Sequence, residues 1–155
     1  MRSICGFALA VGMFLAAFQS ATGAPVPDEK EKKVDKLKRP PLDSKEWKKR
    51  DSGLEVWDEV EGKGDAVKPG AEVKVHYTGW LTDKDETIFD SSVKRGEPIE
   101  FGLDQVIKGW QEGVPGMKPG GTRVLKIPSK LAYGDRAVGK IPAGSTLIFR
   151  IELLK

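Results

Sequence analysis

The residue types that carry most enzyme chemistry are scarce in this chain of 155 residues. It contains one cysteine, Cys5, and one histidine, His76, and it has no G-x-S-x-G pattern of the kind that presents a serine nucleophile. His76 lies within an alternating apolar pattern, which is typical of a structural residue in a strand. A nucleophile–base pair, a disulfide framework and a zinc site of Cys/His type are therefore excluded.

The glycine-rich turns do not form a phosphate or metal loop either. Residues 62–67 lack the third glycine of a dinucleotide loop, and residues 116–122 lack the Gly-Lys-Ser/Thr order of a phosphate loop. The carboxylates are scattered and form no Asp-rich calcium loop. We therefore expect any enzyme activity to work without a metal, a cofactor or a covalent intermediate.

Aromatic side chains remain as the candidates for a binding site. Six of them lie in separate parts of the pattern, each near a turn rich in glycine or proline: Tyr77, Phe89, Phe101, Trp110, Tyr133 and Phe149. They could line a shared apolar pocket, or they could only fill the core. Periodicity alone does not distinguish these two interpretations.

The pattern beyond residue 53 predicts the elements that would position these aromatics. Apolar residues alternate with polar ones over 54–60, 73–78 and 147–154, and shorter strands are indicated at 98–101 and 125–127. Within residues 106–114, apolar side chains recur at i, i+4 and i+8, which predicts one or two turns of amphipathic helix. Several strands with one short helix predict an α+β domain, with a cleft where the helix meets the sheet.

Residues 1–23 have the pattern of a cleavable secretory signal peptide. Arg2 precedes an apolar run over 4–18, and small residues follow it, which places the expected cut after Gly23. The run is shorter than the roughly 20 residues that span a bilayer as a helix, so an uncleaved membrane anchor is the less favoured alternative. We therefore expect export to a bacterial periplasm or to the cell exterior.

Residues 24–52 have the composition of a charged, disordered linker. They contain 10 Lys or Arg, 7 Asp or Glu and only 6 apolar residues, with Trp47 as the side chain that could dock on the domain. A basic arm for an anionic surface is the alternative, although acidic residues interrupt it throughout. Residues 53–155 carry 15 basic and 16 acidic side chains, so a nucleic-acid-binding domain is not expected.

Six short strings occur in a recognisable order along this last segment: VHYTGW (75–80), FDSS (89–92), GEP (96–98), VIKGW (106–110), AYG (132–134) and LIF (147–149). Together they closely resemble the FKBP-type peptidyl-prolyl cis-trans isomerase domain. The resemblance runs over residues 53–155.

This resemblance implies a fold and a set of site residues. The fold is a strongly bent antiparallel sheet, a half-barrel of about five to six strands, wrapped around the short helix that carries Trp110. The residues implied for catalysis are Tyr77, Phe89, Asp90, Trp110 and Tyr133. The residues implied for substrate binding are Arg95, Ile99, Phe101, Val106, Ile107, Ile141 and Phe149.

Within this set, the family gives each main residue a role. Trp110 is the floor of a proline pocket, and the Ile107 backbone N–H and the Tyr133 hydroxyl bond the substrate. Asp90 lies beside the twisting amide, or it only orients Arg95 and Tyr77. Ile99 replaces a phenylalanine usually found near the pocket rim. The loop 134–142 is about one residue shorter than in the small human prototype.

The function implied is catalysis of Xaa-Pro bond rotation during the folding of exported proteins. That rotation has a barrier of about 18–20 kcal/mol, because twisting the amide removes its resonance. An apolar pocket favours the less polar twisted state by differential binding and needs no general base. The expected partners are proline-containing peptides, unfolded exported proteins and macrolide inhibitors of the family, and a monomer is expected. The alternatives are a proline-binding module or chaperone with incidental turnover, and a purely structural domain.

Overall fold

The computed structural model describes residues 35–155, so the predicted signal peptide lies outside the described residues. Seven strands form one antiparallel sheet, and its elements follow in chain order: β1 (Lys48–Lys49), β2 (Glu55–Val60), β3 (Glu72–Leu81), β4 (Ile88–Ser91), helix α1 (Ser92–Arg95), β5 (Ile99–Gly102), helix α2 (Lys108–Gly113), β6 (Thr122–Ile127), a 3₁₀ turn (Ser129–Leu131) and β7 (Leu147–Leu153). The strand order is β1-β2-β6-β7-β3-β4, and β5 pairs with β3 beside it. The predicted α+β sheet with one principal short helix is confirmed.

The inner layer of the domain follows from the alternation of β3, β6 and β7. Side chains at every second position point to one face of the sheet and form a buried core with α2: Val73, Val75, Tyr77, Leu125, Ile127, Leu147, Phe149, Ile151 and Leu153. Val114 and Trp110 close this core from the helix side. The β3–β7 register sets Tyr77 opposite Ile151 and Gly79 opposite Phe149, which brings the aromatic side chains of the two strands together.

The outer face of the sheet is covered by the segment that precedes β2. Trp80, Val124 and Ile148 form a second buried cluster there, and Leu42 and Trp47 pack against it. Trp47 meets Trp57 edge to face, with ring centroids 5.8 Å apart. The structure therefore differs from the predicted disordered linker over residues 35–52. The few apolar residues of this segment find apolar surface on the back of the sheet, and Trp47 docks there as the sequence suggested.

Charged contacts hold the same segment in place. The Arg150 guanidinium pairs with Glu59 at 2.7 Å and donates to the backbone carbonyls of Asp35 and Lys38. Arg39 donates to the carbonyl oxygens of Leu81 and Asp83, at 3.0 and 2.9 Å. Because carbonyl acceptors do not depend on side-chain sequence, a charge pattern read from the sequence does not reveal these anchors.

Within residues 35–155, the structure contains no helix long and apolar enough to cross a membrane.

Candidate active site

A cavity of about 510 Å³ opens between α2, the inner face of the sheet and the loop before β7. Of the twelve site residues predicted from the sequence, all of them described, ten line this cavity: Tyr77, Phe89, Asp90, Phe101, Val106, Ile107, Trp110, Tyr133, Ile141 and Phe149. The six scattered aromatics therefore meet in one place. Their convergence decides between the two interpretations of the sequence, because a core without a pocket would leave no such space.

Trp110 lies at the base of this cavity and is only 4% exposed. Its indole meets Tyr77 and Phe149 edge to face, with centroids 5.5 and 5.3 Å apart, and Phe101 in a tilted arrangement at 5.2 Å. Edge-to-face contacts are the favoured geometry for aromatic pairs, and each adds about 0.5–1.5 kcal/mol beyond burial. Two edge-to-face neighbours and the tilted Phe101 together fix the plane of the indole. Its Nε1 is buried without a hydrogen-bond partner among the described residues.

Two glycines allow α2 to lie directly on β6. A Cβ at Gly109 would stand 2.4 Å from Ile127 Cγ2, and one at Gly113 would stand 2.6 Å from the Leu125 side chain. Four helical residues rise about 6 Å and two strand residues about 6.6 Å, so the two glycines match alternate side chains of the strand. This close approach sets how deep Trp110 lies.

Tyr77 and Asp90 form the polar wall of the cavity, and Arg95 lies directly behind them. The Tyr77 hydroxyl donates to one oxygen of the Asp90 carboxylate, and the Arg95 guanidinium pairs with the other. Arg95 also donates to the Tyr77 hydroxyl at 3.2 Å, and its guanidinium lies over the Tyr77 ring, 5.9 Å from the centroid. The site thus has a fixed network of charge and hydrogen bonds at one edge of an otherwise aromatic surface.

Ionisation within this network follows from burial and from these bonds. Burial opposes the ionised form of Asp90, but the hydrogen bonds from Tyr77 and Arg95 outweigh it and the pKa of Asp90 lies below its usual value. Burial, followed by the hydrogen bond to Asp90, raises the pKa of Tyr77 above its usual value, and the bond to Asp90 raises the pKa of Arg95. At neutral pH the group is a carboxylate, a neutral phenol and a guanidinium.

His76 takes no part in the cavity. Its Nδ1 lies 3.1 Å from the Ser92 hydroxyl, which also accepts the Tyr77 backbone N–H at 2.8 Å. Desolvation lowers the pKa of His76. The strand therefore turns His76 to the face opposite the cavity, consistent with the structural role inferred from the sequence.

Two of the predicted substrate-binding residues lie outside the cavity lining. Arg95 acts one step behind it, on Asp90 and Tyr77, and Ile99 packs into the inner core opposite Val75 of β3. Phe101, two positions along the same strand face, reaches Trp110 instead. The expectation that Ile99 forms part of the pocket rim therefore does not match the structure.

Four lining residues were missed by the sequence analysis: Gln105, Val138, Gly139 and Lys140. The last three belong to the loop before β7, where the Val138 N–H donates to the Ile141 carbonyl at 2.9 Å and the Ile141 N–H donates back at 2.8 Å. This small bridge turns the loop over the cavity beside Tyr133. The position of Ile141 in the sequence is the one signal that could have indicated its neighbours.

Comparison with known proteins agrees with this geometry. The family model described as FKBP-type peptidyl-prolyl cis-trans isomerase matches residues 63–154. The chain belongs to the FKBP family. The resemblance seen in the six short strings is therefore confirmed.

Individual relatives of this FKBP chain differ in length. The FK506-binding protein of Neisseria meningitidis serogroup B is 53% identical over 106 residues, covering 66% of this chain and 95% of that protein. A probable FKBP-type peptidyl-prolyl cis-trans isomerase of Haemophilus influenzae is 43% identical over 141 residues, covering 90% of this chain and 58% of that relative. The crystal structure of FkpA from Escherichia coli superposes with a TM-score of 0.68 at 42% identity, covering 81% of this chain and 56% of that one.

Proposed function

We propose that this FKBP chain is a peptidyl-prolyl cis-trans isomerase acting on exported proteins as they fold. The observation that carries the proposal is the convergence of the six predicted aromatics on one cavity with Trp110 at its base. Family membership supports the same activity. The signal-peptide pattern of residues 1–23 supports export to the periplasm or cell exterior.

The cavity suits a twisted prolyl amide better than a planar one. A planar amide has charge separation between oxygen and nitrogen, which water solvates, whereas the twisted amide has lost most of it. An aromatic cavity therefore destabilises the ground state relative to the twisted state, and this difference accelerates rotation. In the proposed pose the proline ring lies on the Trp110 indole, between Tyr77, Phe89 and Phe149.

Polar groups at the rim hold the peptide in register. We propose that the Tyr133 hydroxyl and the Ile107 backbone N–H bond carbonyl oxygens on either side of the proline, and the presence of both residues in the cavity lining supports this. Asp90 has both carboxylate oxygens engaged by Tyr77 and Arg95. We propose that it acts on the amide through its charge and by orienting Tyr77, and that it transfers no proton.

The same cavity is proposed to bind macrolides of the FK506 class. The Neisseria relative is named an FK506-binding protein, and its alignment covers two thirds of this chain. The loop over 134–142 will tune the affinity, since Val138, Gly139 and Lys140 lie at the edge of the cavity. The described chain is proposed to be a monomer in solution.

The test is catalysis of isomerisation in short Xaa-Pro peptides, followed without a coupled protease. The full chain is expressed with residues 1–23 in a bacterial host, and the purified protein is compared with folded Trp110→Leu and Tyr133→Phe variants. Catalysis that falls in both variants and is blocked by FK506 supports the proposal. A folded protein that binds the peptides without accelerating them would instead favour a proline-binding module.

The export part of the proposal has its own measurement. The mass of protein recovered from the periplasm shows whether the chain starts at Ala24. Recovery of the uncleaved chain in the membrane fraction would contradict cleavage and favour the anchor interpretation.

A further inference from the structure

The helix that carries Trp110 is too short to hold itself in place. It spans six residues, so its last carbonyl groups have few partners within the helix. At its N-terminal end Ile107 makes no side-chain cap bond in the described part of the chain. The carbonyls of Glu112 and Gly113 must therefore find donors elsewhere, and both are bound by arginine side chains.

Arg123, which lies on β6, binds the C-terminal end of α2. One Nη donates to the Gly113 carbonyl at 2.8 Å and to the Pro115 carbonyl at 3.2 Å, while its Nε pairs with Asp58 at 2.5 Å. Arg123 is 9% exposed and shares one face of β6 with the two residues that support the helix glycines. Two of its three guanidinium nitrogens therefore have acceptors, and removing these acceptors would leave a largely buried charge without partners.

Arg50, which belongs to the N-terminal segment, binds the same end of the helix. It donates to the Glu112 carbonyl at 2.6 Å, and its guanidinium lies 3.7 Å from the Glu112 carboxylate. The Ser52 hydroxyl donates to that carboxylate at 2.7 Å. The backbone of Arg50 is itself fixed, because its N–H donates to the Leu54 carbonyl at 2.8 Å.

We propose that Arg50 and Arg123 are positioning residues for the floor of the cavity, acting as a two-sided clamp on the C-terminal carbonyls of α2. Cations are favoured at this end of a helix, where the carbonyl dipoles point outward. With the glycines seated on β6, the clamp fixes where the helix ends and so fixes the height and tilt of Trp110. Arg50 precedes the residues matched by the family model, 63–154, so part of this support comes from the N-terminal segment.

A purely structural role is the alternative, in which Arg50 only attaches the N-terminal segment to the domain. The chain offers a matched comparison for it. Lys36 belongs to the same segment and pairs with Glu152 of β7, and the side chains of that pair are 36% and 27% exposed. Those of Arg50 and Glu112 are 38% and 33% exposed. Lys36→Ala removes a similar attachment without touching α2.

The experiment compares Arg50→Ala, Arg50→Lys and Lys36→Ala in the full chain. Its first two readouts are NMR measurements: the indole N–H resonance of Trp110, assigned by its loss in Trp110→Phe, and amide exchange at Val114, whose N–H donates to the Trp110 carbonyl at 3.0 Å. The third readout is kcat/KM for a proline peptide, and it rests on the proposed function.

We expect Arg50→Ala to shift the Trp110 indole resonance, to speed Val114 exchange and to lower kcat/KM about 3- to 10-fold, the range of one ordinary hydrogen bond, because solvent weakens the charge of this partly exposed side chain. Arg50→Lys, which keeps one donor, should recover most of each change, and Lys36→Ala should produce none. Equal effects of Arg50→Ala and Lys36→Ala would overturn the clamp. If the unchanged protein is inactive on every peptide, the isomerase proposal fails, while the two NMR readouts still decide the clamp.

Discussion

The ring of Tyr77 meets the indole of Trp110 edge to face, with the centroids 5.5 Å apart and the planes at 86°. The hydroxyl of the same tyrosine donates to Asp90. One side chain therefore joins the apolar floor of the cavity to its polar wall. A change at either end of Tyr77 should therefore affect the other end.

Replacing the indole should lower catalysis even where the variant still folds. Trp110→Leu keeps an apolar side chain, but a much smaller one, and the flat surface and the three aromatic contacts with Tyr77, Phe101 and Phe149 are lost. We expect kcat/KM to fall about tenfold or more, which corresponds to about 1.4 kcal/mol. The matched control is Trp57→Leu, because Trp57 packs on the outer cluster. Equal activity losses in the two folded variants would contradict the role of Trp110.

The stability contributed by Asp90 should depend on pH in a defined direction. Its pKa in the folded protein lies below the ordinary 3.8, so its contribution is present above that value and is lost as the pH falls through the folded pKa. We expect wild type and Asp90→Asn to differ in free energy of unfolding by a constant amount, about 1 kcal/mol, between pH 5 and 8. Below pH 3.8 the difference should shrink.

Urea unfolding across this pH range measures the effect. Asp65, an exposed carboxylate outside the cavity lining, provides the control through Asp65→Asn. A difference between wild type and Asp90→Asn that stays constant down to pH 2 would show that the Asp90 carboxylate gains nothing from Tyr77 and Arg95. At alkaline pH, the raised pKa of Tyr77 has the opposite consequence. Its contribution to the free energy of unfolding is complete below pH 10.0 and is lost as the pH rises through the pKa of the folded protein.

The contact between α2 and β6 should not tolerate a methyl group added at Gly109. In Gly109→Ala the new Cβ would stand 2.4 Å from Ile127, so the helix must lift from the strand. We expect a loss of about 1–3 kcal/mol in the free energy of unfolding, together with reduced catalysis, because Trp110 moves with the helix.

The double variant Gly109→Ala/Ile127→Val tests this reason directly. Shortening Ile127 removes one of the atoms that the new methyl group meets, so the double variant should be more stable than the two single effects would predict. Thermal and urea unfolding of the four proteins gives the coupling. Strictly additive losses would mean that Gly109 matters for another reason.

Trp47, on the outer face of the sheet, should contribute to stability more than to activity. Trp47 packs on Trp57 and under the Lys126 ammonium, 5.8 Å from its ring, on the face opposite the cavity. Trp47→Ala should therefore cost about 1–3 kcal/mol of unfolding free energy, the usual range for losing a partly buried aromatic. Below the unfolding transition, kcat/KM should stay within twofold of wild type. A tenfold fall in a folded Trp47→Ala protein would show that the outer face communicates with the cavity.

Local patterns in the sequence predicted five of the seven strands, all except β1 and β4, and the six aromatic residues of the cavity lining. Alternation over 73–78 and 147–154 predicts which side of the sheet each residue faces, and β3 and β7 confirm it. Asp90 and Ile107 were found differently, through short strings that resemble a family. Ile99 shows the limit of that approach. It lies on the same strand face as Phe101, but it is Phe101 that contacts Trp110.

Residues 35–52 show a second limit of prediction from sequence. A charged segment with few apolar residues has the composition of a linker, and composition does not reveal the apolar patch on the back of the sheet that receives Leu42 and Trp47. That patch exists only when β3, β6 and β7 are side by side. Its acceptors for Arg39 and Arg150 are main-chain carbonyls, which every sequence contains.

The sequence by itself determined most of the strands, the aromatic residues and the family, because alternation and short strings are local properties of the chain. Only the tertiary structure decided which of these residues meet. Arg50 reaches the Glu112 carbonyl across 62 positions, and Gly109 rests on Ile127 because a helix and a strand happen to have matching rises. These contacts join residues far apart in the chain, and they involve backbone atoms. A local pattern of side chains does not reveal such contacts, although together they set the depth of Trp110.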